Sequence, residues 1–137
     1  QNAYDAQFSI PYIVARTLTG CQFTLDDLDP EALNDGRTLA IADRVDWQED
    51  PETAFPRYYS GKLTARLKDG RVIEHREAVN RGSDANPLSA GDIEAKYWAN
   101  AERAVSRKKA EAVFDRTMQL EQADDVWDLA HALSFAR

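Results

Sequence analysis

The sequence predicts an α+β fold: a small antiparallel β-sheet covered on one side by helices, as a two-layer sandwich with further helices at the C-terminus. Three observations predict it. Residues 62–68 alternate apolar and polar, run into Asp69-Gly70 and continue into a return segment over 71–79, the pattern of a β-hairpin. Apolar residues at helical spacing, with capping residues before them, occupy both ends of the chain. At 137 residues the chain has the length of one domain and can bury a core.

The first element is residues 6–20, read as one amphipathic helix. Ser9 is its N-cap, Pro11 falls in the first turn and Gly20 stops it. Tyr12 then lies in the first turn, where free backbone N–H groups and the helix dipole favour anions. A chain that opens without Met, straight into a buried-looking helix, is expected to be cut from a longer protein. That helix is expected to form part of a site whose other half lies elsewhere. Residues 24–29 read as an acidic connector. Asp29-Pro30 starts a helical stretch, interrupted at Asn34-Asp35-Gly36 and resumed over 37–43, with Leu39, Ala40 and Ala42 inward. Residues 45–49 alternate and predict a strand, and residues 50–61, with Pro51, Pro56 and Gly61, predict a loop or irregular edge.

A two-residue turn at Asp69-Gly70 pairs Leu67 with Val72, Ala65 with Glu74 and Leu63 with Arg76. The last two pairs are poor on a buried face. The register therefore implies a bulge near residues 73–75, an edge position for the second strand, or a face only half covered. Residues 80–88 form a polar loop. Ser89 with Asp92 is an acidic capping box opening a helix over 90–103, with Ile93, Tyr97 and Ala101 as its stripe. Ser106 caps a further helix that turns Ala110, Val113, Phe114, Thr117 and Leu120 to one side. Its first turn, Arg107-Lys108-Lys109, opposes the macrodipole and is expected to fray. Asp124 or Asp125 caps the last helix, with Val126, Leu129, Ala130 and Leu133 inward. Apolar positions left over on the last two helices, residues 104–137, are expected to dock on a missing body or a second copy.

Composition excludes several functions. Lys and Arg number 17 against 24 Asp and Glu, a net charge of −7, so neither nucleic acid nor an anionic membrane is an expected partner. Arg103, Arg107, Lys108 and Lys109 cluster, but Glu102 and Glu111 flank them, as at a solvated helix junction. No apolar run reaches the roughly 20 residues of a membrane span, and no signal peptide is visible. The single Cys21 cannot form an internal disulfide and fits a reducing, cytoplasmic compartment. His75 and His131 are far apart and read as surface or core-edge residues, so no metal is expected. Nucleophile-elbow, dinucleotide and P-loop motifs are absent. Asp26-Asp27 and Asp124-Asp125 read as helix-start residues.

Two candidates remain. Tyr12 is one, although an aromatic paired with Phe8 at i, i+4 is usually core. The other is Arg81-Gly82-Ser83, where a cation, a flexible glycine and free N–H groups suit a carboxylate, unless the segment is an ordinary Gly turn.

A string of motifs carries a resemblance. In order these are Asp5-Ala-Gln-Phe-Ser-Ile-Pro-Tyr-Ile-Val-Ala15, Leu63-Thr-Ala-Arg-Leu-Lys-Asp-Gly-Arg71, Arg81-Gly82 with Asn86-Pro-Leu-Ser89, Asp92-Ile-Glu-Ala-Lys-Tyr97, and Leu120-Glu with Asp124-Asp-Val-Trp-Asp-Leu129. Over nearly its whole length the chain resembles the C-terminal part of the MmgE/PrpD family, which includes 2-methylcitrate dehydratase, cis-aconitate decarboxylase and iminodisuccinate epimerase. The resemblance implies that residues 1–137 are a single lid domain of a cofactor-independent, homodimeric enzyme whose N-terminal helical domain is missing here. It implies abstraction of a proton alpha to a carboxylate on a small di- or tricarboxylate, with the lid alone inactive. The expected parent activity is a 2-methylcitrate dehydratase-like lyase, or an epimerase. Tyr12 is the active-site position it carries over, as hydrogen-bond or proton donor. Arg81 and Gly82 fall in a Gly-containing loop near the cleft, and Lys96 is structural. The competing reading is a non-catalytic α+β binding or interaction module.

Overall fold

The computed structural model describes residues 2–20 and 22–134, so the expectation for the Cys21 thiol lies outside them. The described residues form an α+β chain of seven α-helices and one two-stranded antiparallel sheet, as the sequence predicts. The chain divides into two compact units, Gln1–Val79 and Asn80–Arg137.

In the first unit, a short helix α1 (Ala3–Ala6) precedes the main opening helix α2 (Ile10–Gly20). Asn2 caps α1, accepting from the Asp5 N–H at 2.9 Å. Ser9 starts α2, its hydroxyl accepting from the Tyr12 N–H at 3.3 Å. The expected single helix is thus broken at residues 7–9, and Phe8 leaves the face it was assigned. It is 69 % exposed and stacks edge-on against Tyr4 at 5.3 Å, while Tyr12 is 1 % exposed.

The acidic connector is a 3₁₀ turn, Leu25–Leu28, closed by a capping box between Thr24 and Asp27. Helix α3 (Pro30–Leu33) follows with Pro at its start, then α4 (Gly36–Ala42), whose N-cap Asp35 accepts from the Arg37 and Thr38 N–H groups. The buried residue of α4 is Thr38. Leu39 and Ala42 are half-buried and Ala40 faces outward, which corrects the expected inward face. Ala6, Tyr12 and Leu33 form the small core, with Phe23 and Leu28 packed against it.

Residues 45–49 are not a strand. Alternation alone does not make one where no neighbouring backbone accepts the pairing. The segment ends at Asp50, whose carboxylate takes two hydrogen bonds from Arg76, at 2.9 and 3.3 Å. The loop to Gly61 is internally bonded and contains a cis Phe55–Pro56 bond.

Strands β1 (Gly61–Arg66) and β2 (Val72–Glu77) pair antiparallel, with Ala65 opposite Ile73 and Leu63 opposite His75. This is one residue from the expected register. The Gly70 N–H donates to the Leu67 carbonyl at 3.1 Å, the Leu67 N–H donates to the Arg71 carbonyl at 2.9 Å, and Gly70 has φ +87°. Such a three-residue loop, a type I turn followed by a left-handed glycine, places the extra residue inside the turn. No bulge is then needed near 73–75. The shift gathers Leu63, Ala65, Leu67 and Ile73 on one face. On the other, Thr64 and Lys62 both reach Glu74 at 3.0 Å. Val72 and Ile73 are 51 % and 54 % exposed, so the helices of the first unit do not give the sheet the expected cover.

In the second unit, α5 (Ala90–Ala104) opens with the predicted Ser89–Asp92 capping box. Helix α6 (Arg107–Met118) packs on it through Tyr97, Trp98 and Phe114, with ring centroids 4.9 to 5.5 Å apart, and through fully buried Ala110. The Tyr97 hydroxyl donates to the Ala110 carbonyl at 2.6 Å. The α6 first turn holds because its charge is answered: Arg107 bonds Glu102 at 2.5 Å and Glu111 at 3.1 Å and lies 3.9 Å over the Trp98 ring. Thr117 and Leu120 fall outside the packed face. In α7 (Trp127–Leu133), Asp125 accepts from the Trp127 N–H at 2.8 Å. Of the four residues expected inward, only Leu129 is partly covered; Val126, Ala130 and Leu133 are exposed.

Gly70→Ala forces a Cβ into a left-handed conformation without filling any contact. It should weaken the hairpin by about 1 kcal/mol. Loss of cross-strand amide protection over residues 61–77 at unchanged helicity would show this, and full retention would contradict it.

Candidate functional site

The opening helix places two polar side chains, Tyr12 and Arg16, one turn apart on its inner face. Both engage Asp27. The Tyr12 hydroxyl donates to the Asp27 backbone carbonyl at 2.6 Å. The Arg16 guanidinium grips the Asp27 carboxylate, through Nε at 2.7 Å and through Nη2. The other carboxylate oxygen closes the capping box, accepting from the Thr24 N–H at 2.6 Å. Arg16 Nη1 reaches the Thr38 hydroxyl at 3.4 Å and the Asp35 carboxylate at 3.6 Å. Tyr12, Arg16, Thr24, Asp27, Asp35 and Thr38 therefore make one connected junction among α2, the 3₁₀ turn and α4.

Its electrostatics follow from these contacts. Burial raises the Asp27 carboxyl pKa, but the Thr24 N–H and the Arg16 guanidinium outweigh it and hold the group below the usual carboxylate range. The Asp27 hydrogen bond raises Arg16 further. Burial pushes the Tyr12 phenol up, with Arg16 partly opposing. Tyr12 is thus a neutral donor, and its hydroxyl is engaged inside the fold. Pro11 has no N–H and the Tyr12 N–H goes to Ser9, so the first turn keeps fewer donors for an anion than the sequence reading supposed.

Arg81 and Gly82 belong to the second unit. Gly82 has φ +93°, and its N–H donates to the Asn86 carbonyl at 2.7 Å. The Ser83 N–H turns back to the Asn80 carbonyl at 3.3 Å. Arg81 pairs with Asp92 at 2.6 Å, tying the loop to the start of α5. The Ser89 hydroxyl and Arg81 together bring the Asp92 carboxyl down to about 2. In this conformation the Gly82 and Ser83 N–H groups are both taken up within the loop. The Ser83 hydroxyl is shielded from solvent and has no hydrogen-bond partner among the described residues.

His75 lies on the strand surface, and His131 on α7, its Nδ1 2.9 Å from the Trp127 carbonyl. Among the described residues no group of three or more His, Cys, Asp or Glu side chains is placed to hold a metal ion. None of the described helices is long and apolar enough to cross a membrane.

Asp27 is the residue that the sequence reading passed over. Its role as a helix-start acid is borne out, but its hold on Arg16 was not seen. One signal pointed there: Arg16 follows Tyr12 at i+4, and a cation on the buried face of a helix needs an acidic partner.

The α+β chain thus carries, within its first unit, a charged junction whose Asp27 is buried. The chain belongs to the MmgE/PrpD family: the profile of the MmgE/PrpD C-terminal domain matches residues 1–120. It is similar to a cis-aconitate decarboxylase-like protein of Aspergillus oryzae, at 24% identity over 96% of this chain and 27% of that protein. It is also similar to the cis-aconitate decarboxylases of Mus musculus and Homo sapiens. Those match at 23% and 24% identity, each over 89% of this chain and 25% and 26% of theirs. The chain spans about a quarter of the length of these relatives.

Asp27 and Asp92 are more acidic here than the ordinary carboxyl value of about 3.9, so the unfolded chain takes up protons first as pH falls. Stability should be level above about pH 5 and fall between about pH 4 and 2. Thermal midpoints against pH test this, and a midpoint rising on acidification would contradict it. Ser83→Ala removes an unpartnered hydroxyl, so the midpoint should hold or rise, and a marked drop would reveal a partner.

Proposed function

We propose that this chain is the substrate-covering lid of a lyase or isomerase that acts on a small di- or tricarboxylate. The reaction abstracts a proton alpha to a carboxylate, and loss of CO₂, loss of water or reprotonation follows. The observation that carries this reading is the family match over residues 1–120, supported by similarity to cis-aconitate decarboxylases over most of the chain. Among the family's outcomes these relatives favour decarboxylation over the 2-methylcitrate dehydratase-like reaction expected from the resemblance.

Proton abstraction next to a carboxylate builds enediolate-like charge, and stabilising it takes donors and cations at fixed positions. The lid's part is to close over the substrate and exclude water. In this reading α2 is one wall of the cleft. Tyr12 serves that wall by holding it, since its hydroxyl is engaged by Asp27. Arg81 contributes to substrate binding by exchanging Asp92 for a substrate carboxylate, an exchange favoured by the solvent exposure of the pair. The remaining catalytic groups, the second half of a homodimer and a cytoplasmic setting belong to the parent protein.

The test is turnover. The intact parent enzyme should release CO₂ from cis-aconitate or a related polycarboxylate, and the 137-residue chain alone should show none. An intact protein inactive on all such acids would favour the non-catalytic binding module. Turnover by the isolated chain would refute the lid role. Replacing Arg81 with Gln in the intact enzyme should raise KM several-fold, and by no more than about a hundredfold. An unchanged KM would remove Arg81 from the site.

A further inference from the structure

Two donors one helical turn apart hold both the backbone and the side chain of one residue. Tyr12 binds the Asp27 carbonyl and Arg16 binds its carboxylate. Apolar packing alone would let the 3₁₀ turn slide along α2, and this pair of tie points does not. Arg16 then extends the junction to Thr38 and Asp35 at the start of α4, and Asp35 receives the Thr38 hydroxyl at 2.6 Å.

A buried ion pair is a poor means of adding stability, because desolvation offsets most of its attraction and an apolar pair of similar volume is often as stable. What it supplies is direction. We propose that Asp27 is a positioning residue for the lid's part in turnover, acting through the Tyr12 hydroxyl and the Arg16 guanidinium to set the first turn of α2 against the 24–28 turn and α4. The inference rests on the lid reading above. Misplacement of a site wall by about 1 Å can cost up to a hundredfold in rate, so the effect belongs in kcat.

The experiment uses the intact parent enzyme. Asp27→Asn keeps the size and an acceptor for the Thr24 N–H while removing the charge that faces Arg16. At a temperature where near-UV circular dichroism shows the variant folded, kcat should fall about tenfold or more with little change in KM. An Arg16→Met/Asp27→Leu double variant separates positioning from stability: its thermal midpoint should recover towards wild type and its kcat should not. Should Asp27→Asn fail to fold, Tyr12→Phe keeps the ring, removes one tie point and should also lower kcat. A folded Asp27→Asn enzyme with wild-type kcat, or a double variant that recovers kcat together with stability, would overturn the proposal. If the wild-type parent turned over no polycarboxylate, the lid reading would fall and this inference with it. An active parent indifferent to Asp27 would overturn the positioning role alone.

Discussion

The first unit depends on one residue being held at both ends. Asp27 gives its carbonyl to Tyr12 and its carboxylate to Arg16 and Thr24. Without the Tyr12 and Arg16 contacts the turn at 25–28 has only its own capping box. A 3₁₀ turn of four residues is too short to persist by its own hydrogen bonds. The core around it is small, with Ala6, Tyr12 and Leu33 buried and Phe23 meeting Tyr12 edge-on at 6.3 Å. So small a core leaves much of the orientation among α2, the turn and α4 to polar contacts. Removing one partner of the pair would leave a desolvated charge, and the segment would rearrange to rehydrate it.

The second unit solves the same problem differently. Its α5–α6 contact is aromatic, built from Tyr97, Trp98 and Phe114, and Arg107 covers the Trp98 face while two glutamates neutralise it. This arrangement explains why three basic residues can open α6. The unfavourable dipole term is worth at most about 1 kcal/mol, and carboxylates on either side together with a cation–π contact offset it. A dipole rule applied to the first turn alone cannot see these partners, because Glu102 and Trp98 lie on the preceding helix.

The hairpin shows how one backbone conformation reassigns a whole face. The Asp69-Gly70 signal locates the turn correctly, and the number of residues in the loop sets the register. Gly70 at φ +87° makes that loop three residues long, and every pair moves by one. The misfit that suggested a bulge in β2 was a consequence of assuming a two-residue loop.

The elements that the sequence determined by itself are those written in contacts three or four residues long. They include the Ser9 cap, the Pro30 start, the Ser89–Asp92 box, the Asp125 contact at the start of the last helix and the hairpin turn. Each is set by groups a few residues apart, so local sequence suffices. The motif order also marked the family. Only the tertiary structure decided what Tyr12 touches. The Tyr12 hydroxyl finds its partner 15 residues away and Arg16 finds its own 11 away. Phe8 turns outward because the chain breaks before α2, and residues 45–49 stay unpaired despite their alternation. Those outcomes depend on which distant groups meet once water is excluded, and spacing along the chain does not encode that.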